Sequence, residues 1–319
     1  MAALPPSVSQ SLVLFLLVAS GFAAGRAGIL KGATLGSLSR FLLDFTLPAL
    51  VIVSMQQAFS PALRDQSYRV LALSLLVYAS SFPLAYAVSA FYKKASRAEK
   101  GVHRFAMCFS NVGFMGFPVA ESVLGRDSLF MVAIYNIPFQ ILAFSVGVVL
   151  IRGLRGDESP VAVKGIRSAL ASSAKSLLNP AVLAAFIGFA FFLLSVRIPE
   201  PFYSALELLG GTTTPLAMVL IGSILAGTKL GPVFSNPRLW VTVLYRLAVH
   251  PLIVFFIARA FGLSGMELAV PVLIAAMPVA ANTTILAGVY GGDSATSSGM
   301  VFVSTLLSLV SIPLLSYLF

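Results

Sequence analysis

Ten apolar segments, each near the length of a bilayer span, follow one another along the 319 residues with mostly short polar breaks between them. They lie near 8–25, 35–59, 68–92, 104–124, 128–151, 178–196, 202–227, 239–261, 267–290 and 296–319. A spanning helix needs about 20 such residues. Charged residues make up only 10% of the chain, where a soluble domain of this length uses about 25% to cover its surface. The chain therefore reads as an all-α integral membrane protein with ten transmembrane helices. The first segment lacks a basic residue ahead of it and is long for a leader, so it reads as the first span.

The net charge of +10 would suggest nucleic acid in a soluble protein. Here the cations sit in loops between apolar runs, and no nucleic-acid partner is expected. Fifteen Lys and Arg fall in the odd-numbered loops, among them Lys93, Lys94, Arg97, Lys100 and Arg104, against five in the even-numbered loops. Cationic loops stay on the cytoplasmic side, so both termini are expected outside a cell membrane that the chain crosses many times.

Cys108 is the single cysteine, flanked by Met107 and Phe109, and reads as a buried inert thiol. His103 and His250 stand far apart without cysteine neighbours, so no metal site and no cofactor is expected. Sequence patterns of nucleophilic, metallo-hydrolytic or phosphate-binding enzymes are absent. No enzyme activity is expected.

The longest polar stretch, at 152–177, divides the spans into five and five. It separates a first repeat, 1–151, from a second, 178–319. Five is odd, so the second half must enter the bilayer in the opposite sense. Faint self-similarity agrees with this. Thr46-Leu47-Pro48 resembles Thr213-Thr214-Pro215, and Phe82-Pro83-Leu84 resembles His250-Pro251-Leu252. Pro48 and Pro215, Pro83 and Pro251, and Pro118 and Pro278 are three pairs at nearly constant spacing along the chain. An inverted repeat is the architecture of secondary transporters, with the site at mid-bilayer where broken helices meet.

The fourth span contains Asn111-Val112-Gly113-Phe114-Met115-Gly116-Phe117-Pro118, and the ninth contains Met277-Pro278-Val279-Ala280-Ala281-Asn282-Thr283-Thr284. Two glycines and a proline within six residues weaken the first helix. Pro118 suits the first position of a new half-helix, and Asn282 and Thr283 suit a helix N-cap. Each half-helix would direct its positive end at an anion in the bilayer centre.

The run from Asn111 to Pro118 resembles the fourth-span signature of the auxin efflux carrier (PIN-like) family. Ala275-Ala276-Met277-Pro278 with Asn282 and Tyr290-Gly291-Gly292-Asp293 is similar to its ninth span, and Asn179-Pro180 and Pro215-Leu216-Ala217 also match. The resemblance implies broken helices four and nine that cross at their prolines, and a scaffold of spans 1, 2, 6 and 7 forming a homodimer. It implies a mobile transport domain of spans 3–5 and 8–10, and cargo carboxylate contacts by Asn111 and Asn282. The short linker marks a prokaryotic type, for which dicarboxylates or other small organic acids are the expected cargo rather than auxin.

Around these asparagines the candidate cargo-binding residues are Gly113, Gly116, Pro118, Pro278, Thr283, Asn136, Gln140 and Arg246. Asn136 and Gln140 share a helix face, for interhelical hydrogen bonding or the cargo cavity. Arg246 either snorkels to the surface or holds a carboxylate bidentately. Glu121 either complements the helix dipole or binds a proton that couples transport. Asp44 reads first as an i,i+4 partner of Arg40. The reading is a carrier moving a small organic anion by alternating access. A sodium-coupled symporter of the bile-acid carrier type and a channel are the alternatives.

Overall fold

A computed structural model describes residues 6–152, 179–227 and 235–318. The expected linker lies outside them but for Arg152. Twelve helices, followed by a 3-10 turn at Ser316–Leu318, make up most of the described residues: α1 (Pro6–Arg26), α2 (Gly32–Ser54), α3 (Pro61–Ala90), α4 (Arg97–Cys108), α5 (Val112–Leu124), α6 (Ser128–Arg152), α7 (Pro180–Leu193), α8 (Phe202–Gly227), α9 (Pro237–Ala260), α10 (Met266–Ala275), α11 (Asn282–Tyr290) and α12 (Ser294–Leu315). Six of them, α2, α3, α6, α8, α9 and α12, are long and apolar enough to cross a bilayer. Helices α1, α5, α7 and α10 include shorter apolar stretches. Among the described residues the regular structure is all helical, as suits a multi-pass membrane protein.

Three helices start on the same local device, a capping side chain followed by proline. Ser60 Oγ accepts from the Leu63 amide at 3.1 Å ahead of Pro61, Asn179 Oδ1 from Ala181 at 2.9 Å, and Asn236 Oδ1 from Arg238 at 3.1 Å. The cap satisfies an amide with no carbonyl behind it, and proline has no amide to satisfy. This device begins α3 at Pro61, ahead of the apolar segment, because Arg64 and Asp65 make its first turn polar.

Prolines inside the spans are accommodated in a second recurring way. Pro48, Pro118 and Pro251 each follow a five-residue π-turn, at Leu42–Thr46, Val112–Gly116 and Tyr245–Val249. The residue before each proline donates its amide five residues back: Leu47 to Leu42, Phe117 to Val112 and His250 to Tyr245. Proline removes one helical hydrogen bond and collides with the carbonyl four residues behind it. The wider turn moves that carbonyl aside without ending the helix.

Close packing sorts the helices into two groups. Gly21 of α1 and Gly222 of α8 face one another's backbones. A Cβ on Gly21 would lie 2.0 Å from the Val219 carbonyl oxygen, and one on Gly222 would lie 1.9 Å from that of Val18. Only glycine permits such an approach. Helix α2 packs on α7 and on the first part of α8, so α1, α2, α7 and α8 adjoin. The other group is built around α4, which contacts α3, α6, α9 and α12, with α10 and α11 packed alongside.

Candidate substrate site at the helix crossover

The two interrupted spans meet at their interruptions. Helix α4 ends at Cys108 and passes directly into extended chain, whereas α10 ends at Ala275 and turns through Ala276 and Met277 before the crossing. Ser110 and Val279 pair in antiparallel fashion: the Asn111 amide donates to the Pro278 carbonyl at 2.8 Å, and the Ala280 amide donates to the Phe109 carbonyl at 3.3 Å. The Val279 amide donates to Ser304 Oγ of α12 at 3.0 Å. At this depth lipid offers no partner for backbone groups, so the protein must supply one for each.

Arg246 supplies most of what remains. It is 1% exposed, and its Nε donates to the Met277 carbonyl at 3.1 Å, Nη1 to Met107 at 3.1 Å and Nη2 to Ala275 at 2.6 Å. Its charge therefore faces the carboxyl ends of α4 and α10 together. Each such end carries about half a negative charge from the helix dipole, so one guanidinium balances two. Arg246 neither snorkels nor points into a cavity. Its hydrogen bonds within the protein occupy all three nitrogens.

The positive ends of α5 and α11 lie on the other side of the crossing. The amides of Gly113, Phe114 and Asn282 have no hydrogen-bond partner among the described residues, and all three residues line one cavity of ≈ 170 Å³. Asn111, buried at the crossing, lines it as well, and its carboxamide makes no cap hydrogen bond. Gln140 of α6 closes one side and Asn179, the cap of α7, another. Leu43, Asp44 and Leu47 of α2 form the facing wall. A larger cavity of ≈ 690 Å³ adjoins, sharing Leu43, Asp44, Phe114, Ala281, Asn282 and Ile285 and reaching Gly32, Gly36 and Arg40 at the start of α2.

The other candidates lie off this cavity. Half-helix α5 begins at Val112, not at Pro118, because the break falls at Phe109–Asn111 and the π-turn carries the helix past the proline. Pro118 is buried two residues beyond that turn, and a Cβ on Gly116 would meet Val112 Cγ1 at 2.9 Å and Ile274 Cδ1 at 3.0 Å. Both residues serve packing. Pro278 contributes its carbonyl to the crossing. Neither Asn282 nor Thr283 is an N-cap: Ala281 occupies that position, Asn282 begins the helix, and Thr283 Oγ1 turns back to the Ala280 carbonyl at 2.6 Å. Asn136 lies one turn from Gln140 and away from the cavity, its Oδ1 buried without a partner among the described residues.

Glu121 does not complement the dipole either. With α5 starting at Val112, it falls near the carboxyl end, and its Oε2 accepts from Thr214 Oγ1 at 2.7 Å. Asp44 and Arg40 both line the larger cavity, but no ion pair joins them. The sequence signal for Asp44 was present, as the one carboxylate in the 35–59 segment, since an intramembrane ionisable group commonly faces a pathway.

Comparison with known proteins gives the family. The model of the membrane transport protein family, an auxin efflux carrier-like group, matches residues 6–316. The chain belongs to that family. Relatives of this membrane transport protein extend over nearly the same length. A protein of Rhizobium meliloti (strain 1021), provisionally named a malonate transporter, is 25% identical over 96% of this chain and 94% of its own. The uncharacterized transporter YfdV of Escherichia coli (strain K12) is 25% identical, covering 97% and 96%. An uncharacterized transporter of Methanothermobacter thermautotrophicus is 26% identical, covering 97% of each. The family and these relatives are transporters, not enzymes.

Proposed function

We propose that this membrane transport protein is a secondary carrier that moves a small organic anion by alternating access. The observation that carries the reading is the crossover cavity, where two half-helix amino ends and the side chains of Asn111 and Asn282 converge. Unpartnered amides and a positive dipole end favour a carboxylate. The negative ends are turned away and neutralised by Arg246. A relative provisionally named for malonate makes short dicarboxylates the first cargo to try.

Ten spans in two inverted repeats, at 1–151 and 178–319, suit the same reading. The crossing pairs Ser110 with Val279. These two positions are spaced along the chain almost as Pro48 is from Pro215 and Pro83 from Pro251. Helices α1, α2, α7 and α8 would form the scaffold and the group around α4 the moving body. The outward apolar residues Phe15 and Leu16 of α1 and Phe186 and Ile187 of α7 give a second copy a surface on which to form the homodimer. The larger cavity reaches the start of α2 next to the basic first loop, so on the charge bias this conformation would face the cytoplasm.

Purified protein in liposomes tests the reading. Saturable uptake of radiolabelled malonate or another of a panel of mono- and dicarboxylates is expected. Asn111→Ala and Asn282→Ala should each weaken apparent affinity about tenfold, the worth of one lost charge-assisted hydrogen bond. The buried Asn111 should show the larger loss. Unsaturable flux would indicate a channel, and strict sodium dependence a sodium symporter.

A further inference from the structure

The cavity wall opposite the asparagines carries a carboxylate, which an anion carrier would not be expected to place there. Asp44 sits in the π-turn of α2 and lines both the crossover cavity and the adjoining one. It has no ion-pair or hydrogen-bond partner among the described residues, although Arg40 stands one turn away on the same helix. Its immediate neighbours on the wall, Leu43 and Leu47, are apolar.

The elements packed on this turn bring no competing charge to it. Helix α7 holds no titratable residue. Helix α8 holds Tyr203 and Glu207 near its first turns, and Glu207 is paired with Arg126 at 2.9 Å. Helices α11 and α12 present Asn282, Thr284 and Ser298 to the cavity, and α5 and α6 present Asn111 and Gln140. Among the described residues, Arg40 and Asp44 are thus the only ionisable groups on either cavity wall.

We infer that Asp44 is the proton-binding site of the transport cycle, taking up one proton together with each anion. An ionised Asp44 and a carboxylate held by α5 and α11 would be two like charges facing one another across the crossover cavity, a repulsion that protonation of Asp44 removes. Transfer of a proton from hydronium to Asp44 Oδ leaves water and a neutral acid. That acid no longer repels the cargo and can donate a hydrogen bond to it. Loss of the proton on the far side restores the repulsion and drives release. The inference rests on the anion-carrier reading and names its coupling ion.

The test is binding and uptake of radiolabelled malonate by wild type, Asp44→Asn and Asp44→Glu at matched pH values from about 5.5 to 8. Wild-type affinity should rise as pH falls, by up to about tenfold per unit for one linked proton. Dividing by the Asp44→Asn value at each pH removes the titration of malonate itself. Asp44→Asn should bind with an affinity that no longer follows pH beyond that titration. In liposomes it should exchange malonate while failing to respond to an imposed proton gradient, and Asp44→Glu should keep the response. Equal pH dependence in wild type and Asp44→Asn, or stimulation by sodium in place of protons, overturns the inference and leaves the carrier reading standing. If wild type binds and moves none of the anion panel under any gradient, the carrier reading falls, and the inference with it.

Discussion

The fourth and ninth apolar segments reach the same crossing by different local means. In the ninth, the helix stops at Ala275 and Pro278 lies within the extended strand itself. In the fourth, the helix stops at Cys108, the extended residues are Phe109 to Asn111, and Pro118 lies well inside the following half-helix. One break contains its proline and the other comes two turns before it. What the two share is a need for protein partners at the break, met by the Ser110–Val279 pairing, the three bonds from Arg246, and Ser304, with unpartnered amides left, among the described residues, only at the starts of α5 and α11, where they face the cavity. In a bilayer that requirement decides where a helix can be interrupted, and proline only makes interruption cheaper.

The strongest way to break both spans together is to remove their shared donor. Arg246→Met should leave three buried carbonyls without partners, at a cost of about 3 kcal/mol or more. Loss of monodisperse protein in fluorescence-detected size exclusion, or a large fall in melting temperature, would register it. Arg246→Lys keeps the charge but not the three-way fork, and should recover only part of the stability.

The next test separates the two breaks. Pro278→Ala restores an amide within the ninth-span break and lets α10 propagate toward the crossing. It should lower malonate transport by about tenfold or more, on the scale of a proline's roughly 3 kcal/mol effect on helix continuity. Pro118→Ala acts downstream of a break that is already complete and should change transport by less than about threefold. Equal losses would show that the two prolines do the same work after all.

The smallest effect distinguishes the two glycines of the fourth span. Gly116→Ala places a methyl against Val112 and Ile274 and should cost about 1 kcal/mol in thermal unfolding. Gly113→Ala meets Leu43 Cδ2 at 3.5 Å, an ordinary contact. It should leave stability nearly unchanged and show itself, if anywhere, in cargo affinity.

Much of this arrangement was legible in the residues. Apolar length marked the six helices long enough to cross a bilayer, and the clusters at 111–118 and 277–284 lie at or next to the two interruptions. What could not be read was how tertiary partners would shift them. Pro118 looked like a helix start because proline favours that position, but a π-turn seen only in the folded backbone carries the helix through it. That shift of the half-helix start moved Glu121 from an amino-terminal turn to a carboxyl-terminal one. Asn282 and Thr283 looked like caps, yet the crossing places Ala281 at that position. Arg246 invited readings in terms of water or cargo, because nothing local reveals that two distant helix ends converge on it. Asp44 invited a pairing with Arg40 because i,i+4 spacing permits one, whereas the cavity draws both side chains to its wall.

The guanidinium of Arg246 belongs to the second half of the chain, yet one of its bonds ends on Met107 in the first. In the proposed repeat, on the spacing that relates Pro251 to Pro83, the position matching Arg246 would be Tyr78, whose ring stacks on Phe109 at 5.7 Å. Where one half keeps a cation, the other keeps an aromatic plate. Two copies of either half, set head to tail, would therefore hold two buried cations or none.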